Sequence, residues 1–345
     1  MKRRALDWPA RATELAAAVP RGRLHPAVVA WAEKSSPRAT WAVAFSGGAD
    51  SLALLLLVWA HWPERRARLR VLHFNHRLRG RAARADAAFC AAVAAALGVR
   101  FERGEWAEAH PGASEAEARA ARMAFFDGRG RALWLGHQQD DIAETMLMRL
   151  ARGSGTAGLA APRPVSAVAR GRVHLRPLLT LKKTGLMAAL RAAGIHWRED
   201  RSNARGDFFR NRVRHDVLPA WMAAAQRDAL AGAAHARELL EEDDAALEAW
   251  LDGLRTLRAD GTLALKKLAG KPRGLVRRAL HRWLLAQSRA GALSRQGFEA
   301  LLAAVERGEP TRQSLGREGF AVLRGGRLRF ERAGKPSRRF RRSAN

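Results

Sequence analysis

Along the first half of the chain, short apolar runs alternate with longer stretches in which apolar positions recur every three or four residues. Residues 41–45 are followed by 52–62, and residues 69–74 by 82–97. Residues 99–102 and 132–135 read as further strands, with helices opening near Ser114 and Asp140. This alternation predicts an α/β architecture, a parallel sheet covered by helices, because parallel strands need long crossovers that helices usually supply. Residues 174–179 and 181–193 extend the rhythm by one strand and one helix. In such sheets ligands bind beyond the carboxyl ends of the strands, so the residues just after each strand are where chemistry is expected.

The pattern then changes. Residues 197–214 are polar and basic, and Pro219 reads as a hinge. Residues 221–257 and 275–305 keep a helical pattern, whereas 319–330 carry an apolar-Gly-Gly-apolar sequence that fits a hairpin. The expected layout is an α/β domain over 1–218, a mainly helical domain with a short hairpin over 219–332, and a basic, disordered tail over 333–345. No run approaches the roughly 20 apolar residues of a membrane-crossing helix. The first residues lack the apolar stretch of a secretory signal, so a cytoplasmic location without a membrane partner is expected.

Composition sharpens this picture in two ways. Lys and Arg number 62 against 33 Asp and Glu, a formal charge of +29 that is spread along the chain. Such an excess suits a polyanion, nucleic acid first, because each neutralised phosphate releases condensed counterions, and equally a soluble protein from an arginine-rich proteome. The sole cysteine, Cys90, excludes an internal disulfide, a CxxC zinc site and a cysteine-held cluster. In its Ala-rich helical run it reads as core packing.

Four segments carry candidate chemistry. Ser46, Gly47, Gly48, Ala49, Asp50 and Ser51 lie where a strand turns into a helix, where backbone N–H groups and the helix dipole hold phosphate. The segment lacks the lysine of a GxxxxGK[ST] loop, so it is not the site of an ordinary β–γ-cleaving ATPase. In the stretch 136–145, Asp141 and Glu144 share a helix face beside His137. That pair can hold a cation or cap the helix start. Arg119 and Arg122 share a face of the helix that opens with Ser114 and Glu117. They are suited to phosphate or carboxylate, or are part of a surface helix with a capping box. Arg210 and Arg214, with Arg201 and Arg212 nearby, suit backbone phosphates or a solvated basic helix.

The SGGxDS segment after a strand is similar to the signature of the N-type ATP pyrophosphatases, the PP-loop enzymes, which cleave ATP between its α and β phosphates. Residues 73–79, 115–122, 136–145, 152–159 and 199–219 resemble, in order and content, segments of the tRNA(Ile)-lysidine synthetases. The resemblance implies a PP-loop nucleotide-binding domain followed by a helical tRNA-binding domain. It also implies ATP as substrate, Mg²⁺ held by Asp50 and Asp141, and catalytic roles for Asp50, Asp141 and Glu144. His76, Arg119, Arg122 and His137 are then candidates for contacts with ATP or substrate, and Arg201, Arg210, Arg212 and Arg214 for contacts with tRNA. The implied ligase joins the ε-amine of free L-lysine to C2 of the wobble cytidine of tRNA(Ile) bearing a CAU anticodon. The base is adenylated first, AMP and pyrophosphate are released, and a homodimer is left open. Residues 152–158 become a loop that closes over substrates. Three positions depart from the family pattern: Met123 stands where Tyr is usual, Gln138 where a second His is, and Ile142 where Gln is. A tRNA thiolase of the same superfamily is the nearest rival, but such enzymes commonly rely on paired cysteines. A non-catalytic RNA-binding protein is the rival from another class.

Overall fold

A computed structural model describes residues 6–77, 80–110, 112–198, 209–287, 293–317 and 319–333. The expected tail from 334 onward, together with the whole of 199–208 including Arg201, lies outside the described residues. The chain divides into two compact units, Met1–Glu241 and Glu242–Asn345.

In the first unit the order is α1 (Trp8–Ala18), α2 (Pro26–Lys34), β1 (Trp41–Ala44), α3 (Ala49–His61), β2 (Leu69–Asn75), α4 (Gly80–Ala96), β3 (Arg100–Glu105), α5 (Glu115–Phe126) and β4 (Ala132–Trp134). There follow α6 (Gln139–Leu150), α7 (Thr156–Leu159), β5 (Val165–Val168), β6 (Arg172–Leu175), α8 (Lys183–Ala192), α9 (Phe209–Arg212) and α10 (Leu218–Ala224). The long α11 (Ala229–Leu254) begins in this unit and ends in the second. The sheet runs β3-β2-β1-β4-β6-β5, parallel except for β5, which pairs antiparallel with β6. The sequence does not reveal β5 as a separate strand, because its pattern there is short and half-polar.

Burial follows the sheet order. β1 is central, and Trp41, Ala42 and Val43 are buried from both faces. Helix α3 is apolar all round between Leu52 and Val58, as a helix enclosed on every side must be. Trp41 packs against Trp31, Trp62 and Trp134, and Arg65 lays its guanidinium over Trp41 while donating to the carbonyls of Ser35 and Ser36. Most tryptophans of this unit are therefore core material, with no base to stack on.

Pro219 lies within helix. Its ring and missing N–H prevent a regular bond to the preceding turn, and residues Val213–Val217 widen into a π turn between α9 and α10. The helical run thus continues through the position that reads as a hinge.

The second unit contains the end of α11, β7 (Leu263–Ala264), α12 (Arg273–Ala286), α13 (Arg295–Arg307), β8 (Thr311–Ser314), β9 (Gly319–Arg324) and β10 (Arg327–Arg332). The expected hairpin is β9–β10, turned at Gly325 and Gly326, both at positive φ. It is the centre of a four-stranded antiparallel sheet ordered β7-β10-β9-β8. Leu275, Leu280, Trp283, Leu301 and Leu302 from the helices meet Ala321, Leu323 and Leu328 from the sheet in a separate core.

Candidate active site

Strands β1, β2 and β3 step outward in one direction, and the next strand, β4, pairs on the other side of β1. The chain therefore reverses direction between β1 and β4, and a crevice opens at their carboxyl ends. Two of the candidate segments meet there: 46–51 follows β1, and 136–144 follows β4. Gly136 shows how closely. A Cβ on it would lie 3.0 Å from the carbonyl oxygen of Asp50 and 3.2 Å from the amide nitrogen of Ser51, so a side chain there would push the two backbones apart by a few tenths of an ångström.

The 46–51 turn is held open by its own hydroxyls. Ser51 Oγ accepts from the Ser46 amide at 3.2 Å and donates to the Gly48 carbonyl at 3.0 Å, and the two serine hydroxyls lie 3.0 Å apart. Gly47 takes φ +91°, and Gly48 caps α3 with no side chain of its own, leaving the first-turn amides turned outward. Arg198 closes one side, its amide donating to the Gly47 carbonyl at 3.0 Å and its Nε to Asp86 at 2.8 Å. Cys90 lies beneath, its thiol pushed up by burial and by Asp86.

Asp50 is the anomaly of the turn. Its Oδ1 is shut from solvent without a hydrogen-bond partner, and its pKa rises to about 6, chiefly from burial and then from the charge of Asp141. Lys183 and Arg214 hold it back from rising further.

The second carboxylate pair is fully engaged. Asp141 caps α6 by accepting from the Gln138 amide at 2.9 Å, and it also accepts from Arg210 at 2.6 Å. Glu144, 1% exposed, accepts from Arg210 Nε at 2.9 Å and from Arg214 Nε at 2.6 Å. Arg210 and Arg214 share a face, as their spacing requires, but that face is turned onto the carboxylates; burial disfavours their charge and the carboxylates more than restore it. Arg212 of the same segment is exposed. Gln138 makes the cap with Asp141, its side chain accepting from the Asp140 amide at 2.6 Å, and Ile142 is core. Met123 packs with Leu72, Phe126 and Leu133. These are the roles of the three positions that depart from the family pattern.

A cationic group completes the site. Arg119 and Arg122, on α5, donate to no acceptor among the described residues, and both are held below the usual guanidinium range by withdrawal from water and then by neighbouring cations, Arg210 for the first, Arg119 and Arg210 for the second. The capping box of Ser114 and Glu117 starts the same helix, so the capping role and the arginine face coexist. Arg176, just past β6, is buried and lowered to about 10 by burial and by Arg119, although it donates to the Arg163 carbonyl and to Ser166. His137 has Nδ1 shut from solvent without a partner, and burial, then Arg176 and Arg210, hold it neutral, well below its ordinary range. An arginine cannot lose its proton at working pH, so these downward shifts express a charge withdrawn from water and then repelled by its neighbours, both of which a bound anion would offset. His76 stands apart, packed edge-on against Phe74 and Trp106. Residues 151–153 form a turn after α6 and 154–155 lead into α7, with Arg149 donating to the Gly158 carbonyl.

Sequence reasoning misses Gly136, Arg176, Lys183 and Arg198 as members of the site. Gly136 alone has a usable signal, its place immediately after the expected strand 132–135, whereas Arg176 falls inside the expected strand 174–179.

A strand, an SGGxDS turn and a helix at the reversal of a parallel sheet define a PP-loop ATP-binding domain, and residues 25–221 match the PP-loop domain family. The chain is 39% identical over 273 residues to a tRNA(Ile)-lysidine synthase of Geobacter sulfurreducens, covering 74% of this chain and 56% of that protein. It is 37% identical over 310 residues to one of Salinispora arenicola, covering 85% and 88%. It therefore belongs to the tRNA(Ile)-lysidine synthase family of PP-loop proteins. The chain spans a little over half the length of the Geobacter relative and of one from Solibacter usitatus.

Proposed function

We propose that this chain uses ATP to ligate lysine to C2 of the wobble cytidine in an isoleucine tRNA with a CAU anticodon. The observation that carries the reading is the convergence at one crevice of a phosphate-holding turn, a carboxylate with one buried oxygen that has no hydrogen-bond partner, and arginines that close no ion pair among the described residues. The outward amides of the α3 start and the cations Arg119 and Arg122 suit the phosphates of ATP, stabilising charge as pyrophosphate departs from the α-phosphorus. In the second step the lysine ε-amine, with a pKa of about 10.4 in water, must lose a proton before it displaces AMP. Asp50, raised to about 6, is a stronger base than an ordinary aspartate and is still ionised at neutral pH. Asp141 and Glu144 suit the ammonium of lysine, which on arrival replaces a guanidinium as their partner.

Mg²⁺ fits the same crevice, because Asp50 offers an unused buried oxygen beside the charge of Asp141. No group of three or more His, Cys, Asp or Glu among the described residues encloses a metal, so phosphate oxygens would complete its ligands. When bound it would neutralise phosphate charge. A sulfur-transferring reading is disfavoured by Cys90, which is buried with a thiol pushed up by burial.

The test is ATP-dependent incorporation of labelled lysine into unmodified tRNA, followed by an alkali wash that strips aminoacyl esters. Alkali-stable label that disappears with Asp50→Ala is expected. Absence of label with folded protein and ATP would overturn the lysine reading and leave the PP-loop fold in place.

A further inference from the structure

In the second unit the arginines fall into two populations. Those on α12 are neutralised: Arg273 by Glu299 and Glu306, Arg278 by Asp244 and Glu248, Arg282 by Glu248 and Asp252. The sheet is different. Ala321, Leu323 and Leu328 point into the core, so the alternate residues Phe320, Val322 and Arg324 of β9 share the opposite face with Arg327 and Arg329 of β10. Arg312 of β8, paired with Val322, joins them. All four arginines are exposed. Arg329 pairs with Glu331, whereas Arg312, Arg324 and Arg327 close no salt bridge among the described residues. Asp260 is lowered by its hydrogen bonds from Thr262 and then by Arg258 and Arg327, without coming into ion-pair contact with the latter. The Arg312 guanidinium lies 3.3 Å from the centre of the Phe320 ring.

Neighbouring strands are about 4.8 Å apart and alternate residues of one strand about 7 Å, so these cations are crowded on one flat face. An acidic protein surface would neutralise them but leave the Arg312–Phe320 stack unused. RNA uses both: guanidinium forks bind phosphates in pairs of hydrogen bonds, and an arginine on an aromatic ring is a platform for an unstacked base. We infer that the outer face of this sheet, formed by Arg312, Phe320, Arg324 and Arg327, is an RNA-binding surface that holds the backbone of the tRNA substrate. The identity of the RNA rests on the proposed function; the surface itself does not.

The test compares Arg312→Gln/Arg324→Gln/Arg327→Gln with a control that removes equal charge from Lys34, Arg38 and Arg131, exposed cations preceding β1 and β4. The full chain is titrated with an unmodified tRNA(Ile) transcript over a range of salt concentrations. The sheet variant should bind roughly 10- to 100-fold more weakly, and its salt slope should fall by about one for each phosphate that the variant no longer neutralises. Lysine incorporation at saturating tRNA should be retained, so KM rises and kcat stays. Phe320→Leu should weaken binding without changing the salt slope. A sheet variant that behaves like the control, or weaker binding with an unchanged slope in the triple variant, overturns the inference. A wild-type chain that neither binds nor modifies tRNA overturns the proposed function instead.

Discussion

At the scale of single residues, Asp50 carries a conflict between stability and activity. Its folded pKa of about 6 lies above the unfolded value of 3.8, so the folded chain binds that proton more tightly. The associated stability is complete below pH 4 and is lost as pH rises through about 6, a cost on the order of 3 kcal/mol at neutral pH. Asp50→Asn has no charge to bury. It should abolish lysine incorporation while raising resistance to urea at pH 8, with the gain vanishing near pH 4. Equal stability of the two proteins across that range would mean that Asp50 is better solvated than its surroundings suggest. The motif itself was legible because SGGxDS is contiguous. The orphaned oxygen was not, since it depends on what α6 and the segment after β4 place around it.

Among elements, the packing of α6 against the α9–α10 run matters most. Glu144 and Asp141 hold Arg210 and Arg214 in a buried four-charge group, and removing one member leaves the others without compensation. Glu144→Gln should destabilise the first unit by about 3 to 5 kcal/mol. Adding Arg214→Gln should return part of that loss, giving a favourable coupling in a double-mutant cycle on urea unfolding. Additive effects would show that the arginines find other partners. The sequence showed that each pair shares a helix face, because helical periodicity is local. It did not show that the two faces meet, because nothing local says which surface a basic helix turns toward.

The whole first unit has a predictable response to acid. His25, His137 and His174 are all held below the ordinary histidine range, chiefly by burial and then by arginines, the first and last at about 4. Their folded values lie below the unfolded ones, so their contribution to stability is present above about pH 6.5 and is lost as pH falls toward 4. Asp50 acts in the opposite sense, but it is one group against these three histidines and His61, which burial also lowers. The thermal transition of the first unit should therefore move to lower temperature between pH 6.5 and pH 4.5, followed by near-ultraviolet circular dichroism of its tryptophan cluster. A transition that stays level or rises over that interval would contradict the assignment of these histidines as neutral in the folded chain. No helix among the described residues is long and apolar enough to cross a membrane.

The sequence by itself determined the order of strands and helices from β1 to α6, the placing of segments 46–51 and 136–144 at strand ends, and the helical character of 221–257. Each of these is written in residues adjacent in the chain, where apolar spacing, glycines and caps act directly. Tertiary structure alone decided that β4 lies beside β1, which brings Asp141 within reach of Asp50 across 91 positions of sequence. It also decided that β5 turns back along β6, that β7 and β8 join the hairpin into a four-stranded sheet, and that Arg210 and Arg214 face inward. These outcomes depend on which surfaces bury one another, and a short strand or an exposed arginine has no local pattern that names its partner.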